Sequence, residues 1–428
     1  MTRSPQESNA LQLDREDPLG DFRELFVIED PDLIYLDGNS LGRLPKDTVP
    51  HLQDVIENKW GKTLIDGWNA GWFDLPASLG GKIAALIGAE EDEVVVCDTT
   101  SVNLYKLAGA ALKYQNSRKI VVSDELNFPT DLYVFQGLID LLDKGHELKL
   151  VRSEDTITIS DKSLQEAITE DTALVALTQV AFKSAFMYDI DHITSLAHEV
   201  GALTMWDLSH SVGAVPLQLN DWNVDLAVGC TYKYLNGGPG SPAFLYVRRD
   251  LQNELFPPIW GWFADKSPFA FNLEFTPADG ISRYQISTPH ILSMAGIEPA
   301  LDLLLEAGMD RLRAKSVQQT EYLISLAQEK LLPLGFKIGS PLDPNQRGSH
   351  VSLRHPEAYR ICRALIAPQP EDTNLRVIPD FRAPDNIRLG IAPLYTSYRD
   401  IYRALERLRV IVEKRIYENY SKTKLAVT

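Results

Sequence analysis

The sequence is poor in cysteine, and it has no long apolar run. Only three of its 428 residues are cysteine, with no CxxC pair and no histidine cluster at metal-ligand spacing. We therefore expect buried thiols in a reducing compartment and no metal site. No stretch approaches the roughly 18 apolar residues of a membrane helix. The polar first residues, MTRSPQESNALQLDRED, add to the expectation of a cytoplasmic protein that is not held in a membrane.

Positive charge is also scarce, since 42 Lys and Arg stand against 59 Asp and Glu, a formal net charge of −17. Such a charge repels nucleic acid and anionic membrane surfaces, so we expect neither as a partner. Any bound phosphate must be held by a local group of donors. The 44% of hydrophobic residues exclude intrinsic disorder, and the length predicts two or three domains. A small molecule is the expected partner.

Short β-rich runs alternate with helix-period segments through the middle of the chain. This alternation predicts an α/β fold with a mostly parallel, doubly wound sheet. Ligands of such sheets bind at the carboxyl ends of the strands, so the site is expected after Asp98, Asp124, Thr178, Asp207 and Thr231. The predicted strands are EVVVCD (93–98), KIVVSD (119–124), ELKLVR (147–152), ALVALTQV (173–180), ALTMWDL (202–208), LAVGCTY (226–232) and AFLYV (243–247).

Beyond about residue 305 the pattern changes. A long helical segment precedes a β-like region, a helix, a Pro-rich patch and a last helix from about Ser397. This order predicts a smaller α+β domain. We predict a large domain over residues 61–305, a small C-terminal domain over 306–428, and an N-terminal segment, 1–60, that packs with the small domain.

The strongest local pattern runs from Trp206 to Phe244, as WDLSHSVGAVP followed by VGCTYKYLNGGPGSPAF. One strand delivers Asp207, and the next delivers Tyr232 and Lys233 ahead of a glycine-rich turn. A lysine in this position suits a buried amine that forms a Schiff base. The carboxylate on the preceding strand suits the pyridinium nitrogen of pyridoxal phosphate. The alternative is a structural ion pair, or an Asp N-cap and a surface lysine.

The segment CDTTSVNLYKLAGAALKY predicts an anion site at a helix N-terminus. A strand ends at Asp98, a turn follows, and the helix is predicted to begin at Val102. Free N–H groups and hydroxyls attract anions there, which makes Thr100 and Ser101 candidates to bind the cofactor phosphate. An ordinary N-cap is the alternative, and the position in the same sheet as Lys233 favours the phosphate.

A third segment, SDELNFPTDLYVFQGL, also follows a strand. Phe128 is a candidate to stack on the cofactor ring. Thr130 and Asp131 are predicted to cap the helix that follows and to reach the polar edge of the cofactor. For Asp131, capping alone is the alternative.

Six motifs together resemble kynureninase, particularly its bacterial type. The resemblance covers about residue 20 to about residue 415. It implies the aspartate-aminotransferase type I fold of pyridoxal-phosphate enzymes and a homodimer with active sites at the subunit interface. It also implies hydrolytic cleavage of L-kynurenine to anthranilate and L-alanine in tryptophan degradation, with 3-hydroxykynurenine as a second substrate. The motifs are YLDGNSLGRLP (35–45), NFPTD (127–131), WDLSHSVGAV (206–215), CTYKYLNGGPG (230–240), GWF (261–263) and RGSHVSL (347–353).

The resemblance also implies roles for individual residues. Lys233 carries the cofactor, Asp207 pairs with its pyridine nitrogen, His210 supports Asp207, and Tyr232 protonates the product carbon. The other cofactor contacts it implies are Thr100 and Ser101 with Tyr232 at the phosphate, Phe128, Pro129, Thr130 and Asp131 along the ring, Thr178 near the ring hydroxyl, and Trp262 and Thr288 from the neighbouring subunit. The substrate contacts it implies are Arg388, whose planar fork suits the α-carboxylate, with Asn39, Ser40 and Trp68.

Some alternatives and departures bear on these roles. Trp262 could be a core residue, and Arg388 could form a structural ion pair with Asp385. Ala264, Asp265 and Ser209 depart from the usual residues of the family. Vertebrate-type members carry His and Asn where this chain has Trp68 and Thr288, so the resemblance implies a preference for unsubstituted L-kynurenine.

Two other readings compete with kynureninase. A cysteine desulfurase or selenocysteine lyase of the same fold needs a mobile nucleophilic cysteine, whereas Cys362 lies in an apolar helical pattern, YRICRALI. A non-catalytic cofactor-binding regulator would normally add a basic DNA-binding domain, and the charge of −17 disfavours it.

Overall fold

The computed structural model of the protein describes residues 5–423. The strands in that part of the chain are β1 (Leu33–Tyr35), β2 (Val94–Val96), β3 (Ile120–Asp124), β4 (Glu147–Val151), β5 (Thr172–Thr178), β6 (Leu203–Asp207), β7 (Leu226–Gly229), β8 (Phe244–Val247), β9 (Lys337–Ile338), β10 (His350–Arg354), β11 (Arg376–Ile378), β12 (Asp380–Arg382) and β13 (Asn386–Gly390). The α-helices are α1 (Pro5–Glu16), α2 (Thr48–Asp54), α3 (Leu75–Ile87), α4 (Thr100–Tyr114), α5 (Pro129–Leu142), α6 (Asp161–Ala167), α7 (Ile190–Glu199), α8 (Ile291–Ala295), α9 (Glu298–Ala307), α10 (Met309–Lys330), α11 (Ala358–Ile366) and α12 (Tyr398–Glu413).

A seven-stranded sheet is the central element of the fold. Its strand order is β2-β8-β7-β6-β5-β3-β4. Neighbours from β4 to β7 run parallel, while β8 runs antiparallel to both β2 and β7. Strands β5, β6 and β7 are buried at every residue, because helices cover both faces of such a sheet, and they therefore read as continuous apolar runs. All seven predicted strands and the mostly parallel, doubly wound α/β sheet are confirmed.

The C-terminal part of the chain forms a second, smaller α+β unit. Its antiparallel sheet has the order β12-β13-β10-β9 and shares a hydrophobic core with α10, α11 and α12. Two N-terminal elements join this unit, since β1 pairs in parallel with β11 and α1 packs against α12. The exact domain boundaries stay a prediction. Residues 1–4 of the predicted N-terminal segment and residues 424–428 of the predicted C-terminal domain lie outside the described residues.

The three cysteines, Cys97, Cys230 and Cys362, are buried free thiols. Between residues 5 and 423, no helix is long and apolar enough to cross a membrane. Over the same range, no group of three or more His, Cys, Asp or Glu side chains is placed to hold a metal ion.

Candidate active site

A cavity of about 310 Å³ opens where the carboxyl ends of β5 and β6 face the small unit. Three parts of the chain line it: the loops that follow strands of the large sheet, the segment after β1, and the β12–β13 hairpin. The cavity therefore lies at the predicted edge of the sheet. The predicted residues that line it are Asn39, Ser40, Thr100, Ser101, Phe128, Thr130, Asp131, Thr178, Asp207, His210, Tyr232, Lys233 and Arg388.

One wall of the cavity is the N-terminus of α4. The helix begins at Thr100, two residues earlier than predicted, and Thr99 is its N-cap, with Oγ1 accepting from Val102 N at 3.4 Å. Thr100 and Ser101 are thus the first two helical residues, whose N–H groups have no acceptor inside the helix. The predicted start at Val102 is wrong, but the correction leaves Thr100 and Ser101 well suited to bind an anion.

Lys233 lies in the turn after β7, because that strand ends at Gly229 and does not reach the predicted residue 232. Its Nζ is 3.1 Å from His210 Nε2 and 6.0 Å from the centre of the Phe128 ring. Burial and the charge of Lys233 hold the pKa of His210 well below its usual range, so the imidazole is neutral and accepts from the lysine. The hydrogen bond of His210 therefore goes to Lys233, and the support of Asp207 by His210 that the resemblance implies stays a prediction.

Two carboxyl groups share the polar end of the cavity. Asp207, at the end of β6, is buried and accepts from Ser209 N at 2.7 Å. Asp131 is also buried, and burial together with Asp207 raises its pKa well above the usual range. Asp131 is therefore the protonated partner, and its hydroxyl can donate to the Asp207 carboxylate.

The predicted capping role of Thr130 and Asp131 is wrong. Helix α5 begins at Pro129, and its N-cap is Phe128, which makes no side-chain capping hydrogen bond. Proline suits the first position of a helix because its fixed φ is already helical and its missing N–H is not needed there. Thr130 and Asp131 consequently lie inside the first turn, where their side chains face the cavity.

Arg388, on β13, is fully buried at the opposite side of the cavity. Its Nη2 donates to Ser40 Oγ at 2.7 Å and forms an ion pair with Asp380, while Nη1 donates to the Phe182 carbonyl at 2.5 Å. With the Asn39 amide oriented to satisfy both groups, its oxygen accepts from Arg388 Nε at 2.7 Å. One N–H on Nη1 is left, so the free fork expected for the substrate carboxylate is already largely occupied.

The alternative ion pair between Arg388 and Asp385 is wrong, because Asp385 pairs with Arg354 at 3.1 Å. The partner of Arg388 is Asp380, which stands directly opposite it on the neighbouring strand β12. Asp380 also pairs with Arg382, at 2.9 Å.

Two glycines allow the N-terminal segment to approach the cavity. A Cβ on Gly390 would come 1.9 Å from the Asn39 side-chain amide group, and a Cβ on Gly42 would come 2.4 Å from the Lys233 carbonyl oxygen. Gly42 N in turn donates to the Tyr232 carbonyl at 2.8 Å. Any side chain at either position would push Asn39 and the segment around it away from the site.

Four predicted site residues do not line the cavity of their own chain. Pro129 lies behind it at the start of α5, and Thr288 is exposed. Trp68 packs edge-on against Trp72, with ring centres 5.8 Å apart. Trp262 is 41% exposed, so the interpretation of Trp262 as a core residue is wrong.

The sequence-based prediction missed four residues, one of which is Ser209, which lines the cavity and donates its N–H to Asp207 at 2.7 Å. Phe182 packs edge-on against Phe128 with ring centres 5.2 Å apart, and Arg382 lines the cavity beside Asp380. Asp380 could have been found by reading DFRAPDNIR as a hairpin, which places it opposite Arg388. No signal marked Phe182, whose position depends on the loop after β5.

The unusual Asp265 has a structural explanation. Its carboxylate accepts from Ser267 N and from Thr276 N, each at 2.8 Å, and so closes the loop between them. This departure from the family pattern therefore stabilises a loop outside the cavity.

Comparison with known proteins places the chain in a family. Residues 34–352 match the family described as Aminotransferase class-V, and residues 312–408 match the Kynureninase C-terminal domain. A protein named Kynureninase from Burkholderia mallei (strain SAVP1) is 43% identical over 409 residues, which cover 94% of this chain and 95% of that protein.

Two solved structures share the fold at lower identity. A cysteine desulfurase from Thermococcus onnurineus NA1 superimposes with a TM-score of 0.76 and 18% identity, over 97% of this chain and 99% of its own. A C-DES variant with glycine covalently linked to its PLP cofactor superimposes with a TM-score of 0.73 and 18% identity. The match covers 88% of this chain and 96% of the C-DES chain. These likenesses show the type I fold alone. The sequence relatives go further: the chain belongs to the kynureninase family, and it is an enzyme with the class-V aminotransferase fold.

Proposed function

We propose that the protein catalyses the pyridoxal-phosphate-dependent hydrolytic cleavage of the Cβ–Cγ bond of L-kynurenine, which yields anthranilate and L-alanine. One observation supports this above the others: a single cavity combines an amine, a carboxylate, a helix N-terminus and a buried guanidinium. They belong to Lys233, Asp207, α4 and Arg388. The family and the buried cysteines point to tryptophan degradation in the cytoplasm as its setting.

The residues of the cavity fit pyridoxal phosphate. The N–H groups of Thr100 and Ser101 would hold the phosphate, the Asp207 carboxylate the pyridine nitrogen, and the Phe128 ring one face of the cofactor. Lys233 Nζ, which lies over the Phe128 ring, would bond the aldehyde carbon. When bound, the cofactor supplies an electron-withdrawing ring that stabilises negative charge on the substrate.

The charged groups of the chain can then orient the substrate and move its protons. Arg388 would place the α-carboxylate with its charge and its remaining N–H, beside Ser40, whose hydroxyl group donates to the Asp37 carboxylate. Lys233 would remove the α-proton, and neutral His210, 3.1 Å away, accepts a hydrogen bond from it.

Tyr232 is the group best placed to act as an acid. The neighbouring Cys230, followed by burial, raises the pKa of Tyr232 above its usual value, so the phenol stays protonated. Its ring centre lies 5.9 Å from Lys233 Nζ. Tyr232 would therefore protonate the carbon left when anthranilate departs, and L-alanine would follow.

The cysteine desulfurase reaction is disfavoured although the fold is shared. Burial raises the pKa of the Cys362 thiol well above its usual range, and the side chain is fully enclosed in the small unit. Cys97 and Cys230 are buried as well. Incubation of the holoprotein with L-kynurenine, followed by anthranilate fluorescence, tests the proposed reaction, and parallel incubation with L-cysteine should release no sulfide.

Replacing Asp131 by asparagine should be tolerated much better than replacing it by alanine. The asparagine amide can still donate to Asp207, whereas alanine leaves that buried carboxylate with the Ser209 N–H but no donor from α5. We expect kcat/KM for L-kynurenine to fall less than about 10-fold in the first variant and about 100-fold in the second. Equal losses in the two variants would mean that Asp131 does not act as a hydrogen-bond donor.

We also propose that unsubstituted L-kynurenine is the preferred substrate. The bulky Trp68 would leave little room and no acceptor for an added hydroxyl group. The kcat/KM for L-kynurenine is expected to exceed that for 3-hydroxykynurenine by roughly 10-fold, and Trp68→His should reduce the difference. A clear preference of the native enzyme for the hydroxylated substrate would refute the proposal.

A homodimer with shared sites is the third element of the proposal. Exposed apolar side chains of residues 56–73 and 260–273 form a surface that we call the apolar face; Phe73, Trp262 and Phe271 are joined through contacts with Phe269. Such a surface is unusual for a monomer. Trp262 lies on it, and the partly buried Trp68 adjoins it through Phe263, with ring centres 6.0 Å apart. Both lie outside their own cavity, so a second copy seated on this face would receive them at its own site.

The mass in solution tests the dimer. The native protein should sediment at twice its chain mass of 47.9 kDa. Leu273, which is completely exposed on the apolar face, is the residue to change: Leu273→Asp should shift the mass toward the single chain, since burying an unpaired charge opposes association. Leu141→Asp, on the exposed side of α5, is the control and should leave the dimer intact. A native protein that sediments as a single chain would rule the dimer out.

A further inference from the structure

A lysine is buried beneath the N-terminus of α4, and none of the steps above uses it. Lys106 is fully enclosed, and its Nζ donates to Asp98 Oδ2 at 2.7 Å and to the Tyr284 carbonyl at 2.6 Å. The Cys97 sulfur lies 3.4 Å away. Burial raises the pKa of that thiol to about 11, so it is neutral and Asp98 is the charged partner. A buried ammonium group is costly unless it is paired in this way.

The first of these contacts holds the turn that leads into the candidate phosphate site. Asp98 connects β2 to α4 with φ of +50°, a left-handed conformation that costs a residue other than glycine free energy. Its carbonyl also accepts from Ala243 N at 2.9 Å. The ion pair with Lys106 therefore fixes the turn that aims the free N–H groups of Thr100 and Ser101.

The second contact reaches another part of the chain. Tyr284 is fully buried and begins the segment 284–290, which carries Thr288 and ends at His290. A cavity of about 470 Å³ lies between this segment and α4, lined by Thr100 and Ser101 on one side and by His290 on the other. One ammonium group thus bridges the start of α4 and the segment that faces it.

We propose that Lys106 is a positioning residue for the cofactor phosphate: it holds the β2–α4 turn and the segment 284–290 in fixed relation. This inference rests on the proposed function, because it requires that pyridoxal phosphate binds at α4. Lys106 does not contact the cavity, so it acts through the backbone of Thr100 and Ser101 and not on the reacting atoms.

The test separates positioning from simple charge balance with two double variants. In Lys106→Met/Asp98→Asn no unpaired charge remains, and asparagine tolerates the left-handed conformation. The matched control is Lys315→Met/Asp17→Asn, which removes an ion pair of similar burial, 2.6 Å long, whose residues line neither cavity near α4. The holoproteins are dialysed against decreasing concentrations of pyridoxal phosphate, and the bound cofactor is measured along with the thermal stability of each protein.

We expect the dissociation constant for pyridoxal phosphate to rise at least about 10-fold in the first variant and to stay within about twofold of the native value in the control. At saturating cofactor, kcat for L-kynurenine should return close to the native value in both. Equal, native-like dissociation constants in the two variants would overturn the inference and leave Lys106 a structural residue. If the native protein itself retains no pyridoxal phosphate, the proposed function fails, and this inference fails with it.

Discussion

Turnover of L-kynurenine is expected to fall by at least about 10³-fold when Lys233 is replaced by alanine. The replacement removes two things at once: the amine that would bond the cofactor and the base that would take the α-proton. It also leaves His210 without the hydrogen bond that it accepts at 3.1 Å. Borohydride treatment of the holoprotein should fix the cofactor covalently to the native chain but not to the variant, as seen by mass spectrometry.

The control for this experiment is Lys162→Ala. The Lys162 side chain is 84% exposed on α6, and its ion pair with Glu166 is of the surface kind that contributes little. Turnover and covalent labelling should be native in this variant. If the Lys233→Ala protein still produced anthranilate at a native rate, Lys233 would not be the catalytic amine.

Arg388→Lys is expected to raise the KM for L-kynurenine by about 10-fold or more, with a smaller change in kcat. Lysine keeps the charge but cannot reproduce the planar group that contacts Ser40, Asn39 and Asp380 together. The substrate carboxylate would then meet a mobile point charge. Arg388→Ala should raise KM further, by about 100-fold, and should cost about 3 kcal/mol of folding free energy, because it removes a partner of the nearly buried Asp380.

Arg354 supplies the comparison for Arg388. It lies on the neighbouring strand β10 and pairs with Asp385 at 3.1 Å, but it is partly exposed and outside the cavity. Arg354→Lys should leave KM unchanged and alter stability by less than about 1 kcal/mol. A native KM in Arg388→Lys would show that the carboxylate of the substrate binds elsewhere.

The large sheet was predictable because each of its buried strands is marked by a short apolar pattern in the sequence, and this pattern recurs from strand to strand. Fully buried parallel strands such as β5 and β6 are continuous apolar runs, and each ends in a polar residue, Thr178 or Asp207. Parallel strands bring their carboxyl ends to one edge, so residues far apart along the chain could be assigned to one site from the sequence pattern alone. The cavity at that edge agrees with this reasoning.

The hydrogen bonds inside the site were less predictable, since they depend on side-chain directions. His210 faces Lys233, although sequence spacing alone allows Asp207 equally well. Thr130 and Asp131 resemble helix caps in sequence, yet Pro129 takes the first helical position and moves the cap to Phe128. For His210 the choice between two polar neighbours depends on packing, whereas the start of α5 follows from the local preference of proline for the first helical position.

Contacts across strands and between chains were the hardest to predict. Asp380 is the ion-pair partner of Arg388 because β12 and β13 pair in that register, whereas Asp385, which is closer in sequence, faces Arg354. Trp68 and Trp262 lie outside their own cavity, so their proposed roles depend on a second copy of the chain. A single sequence contains the residues of such contacts but not the geometry that joins them.

The balance of products tests the central claim most directly. Purified holoprotein is incubated with L-kynurenine, and anthranilate and L-alanine are quantified in the same samples over time. Hydrolytic Cβ–Cγ cleavage predicts that the two products appear together at a ratio of one to one and match the kynurenine consumed. Consumption of kynurenine without anthranilate, or anthranilate without an equal amount of alanine, would contradict the proposed reaction.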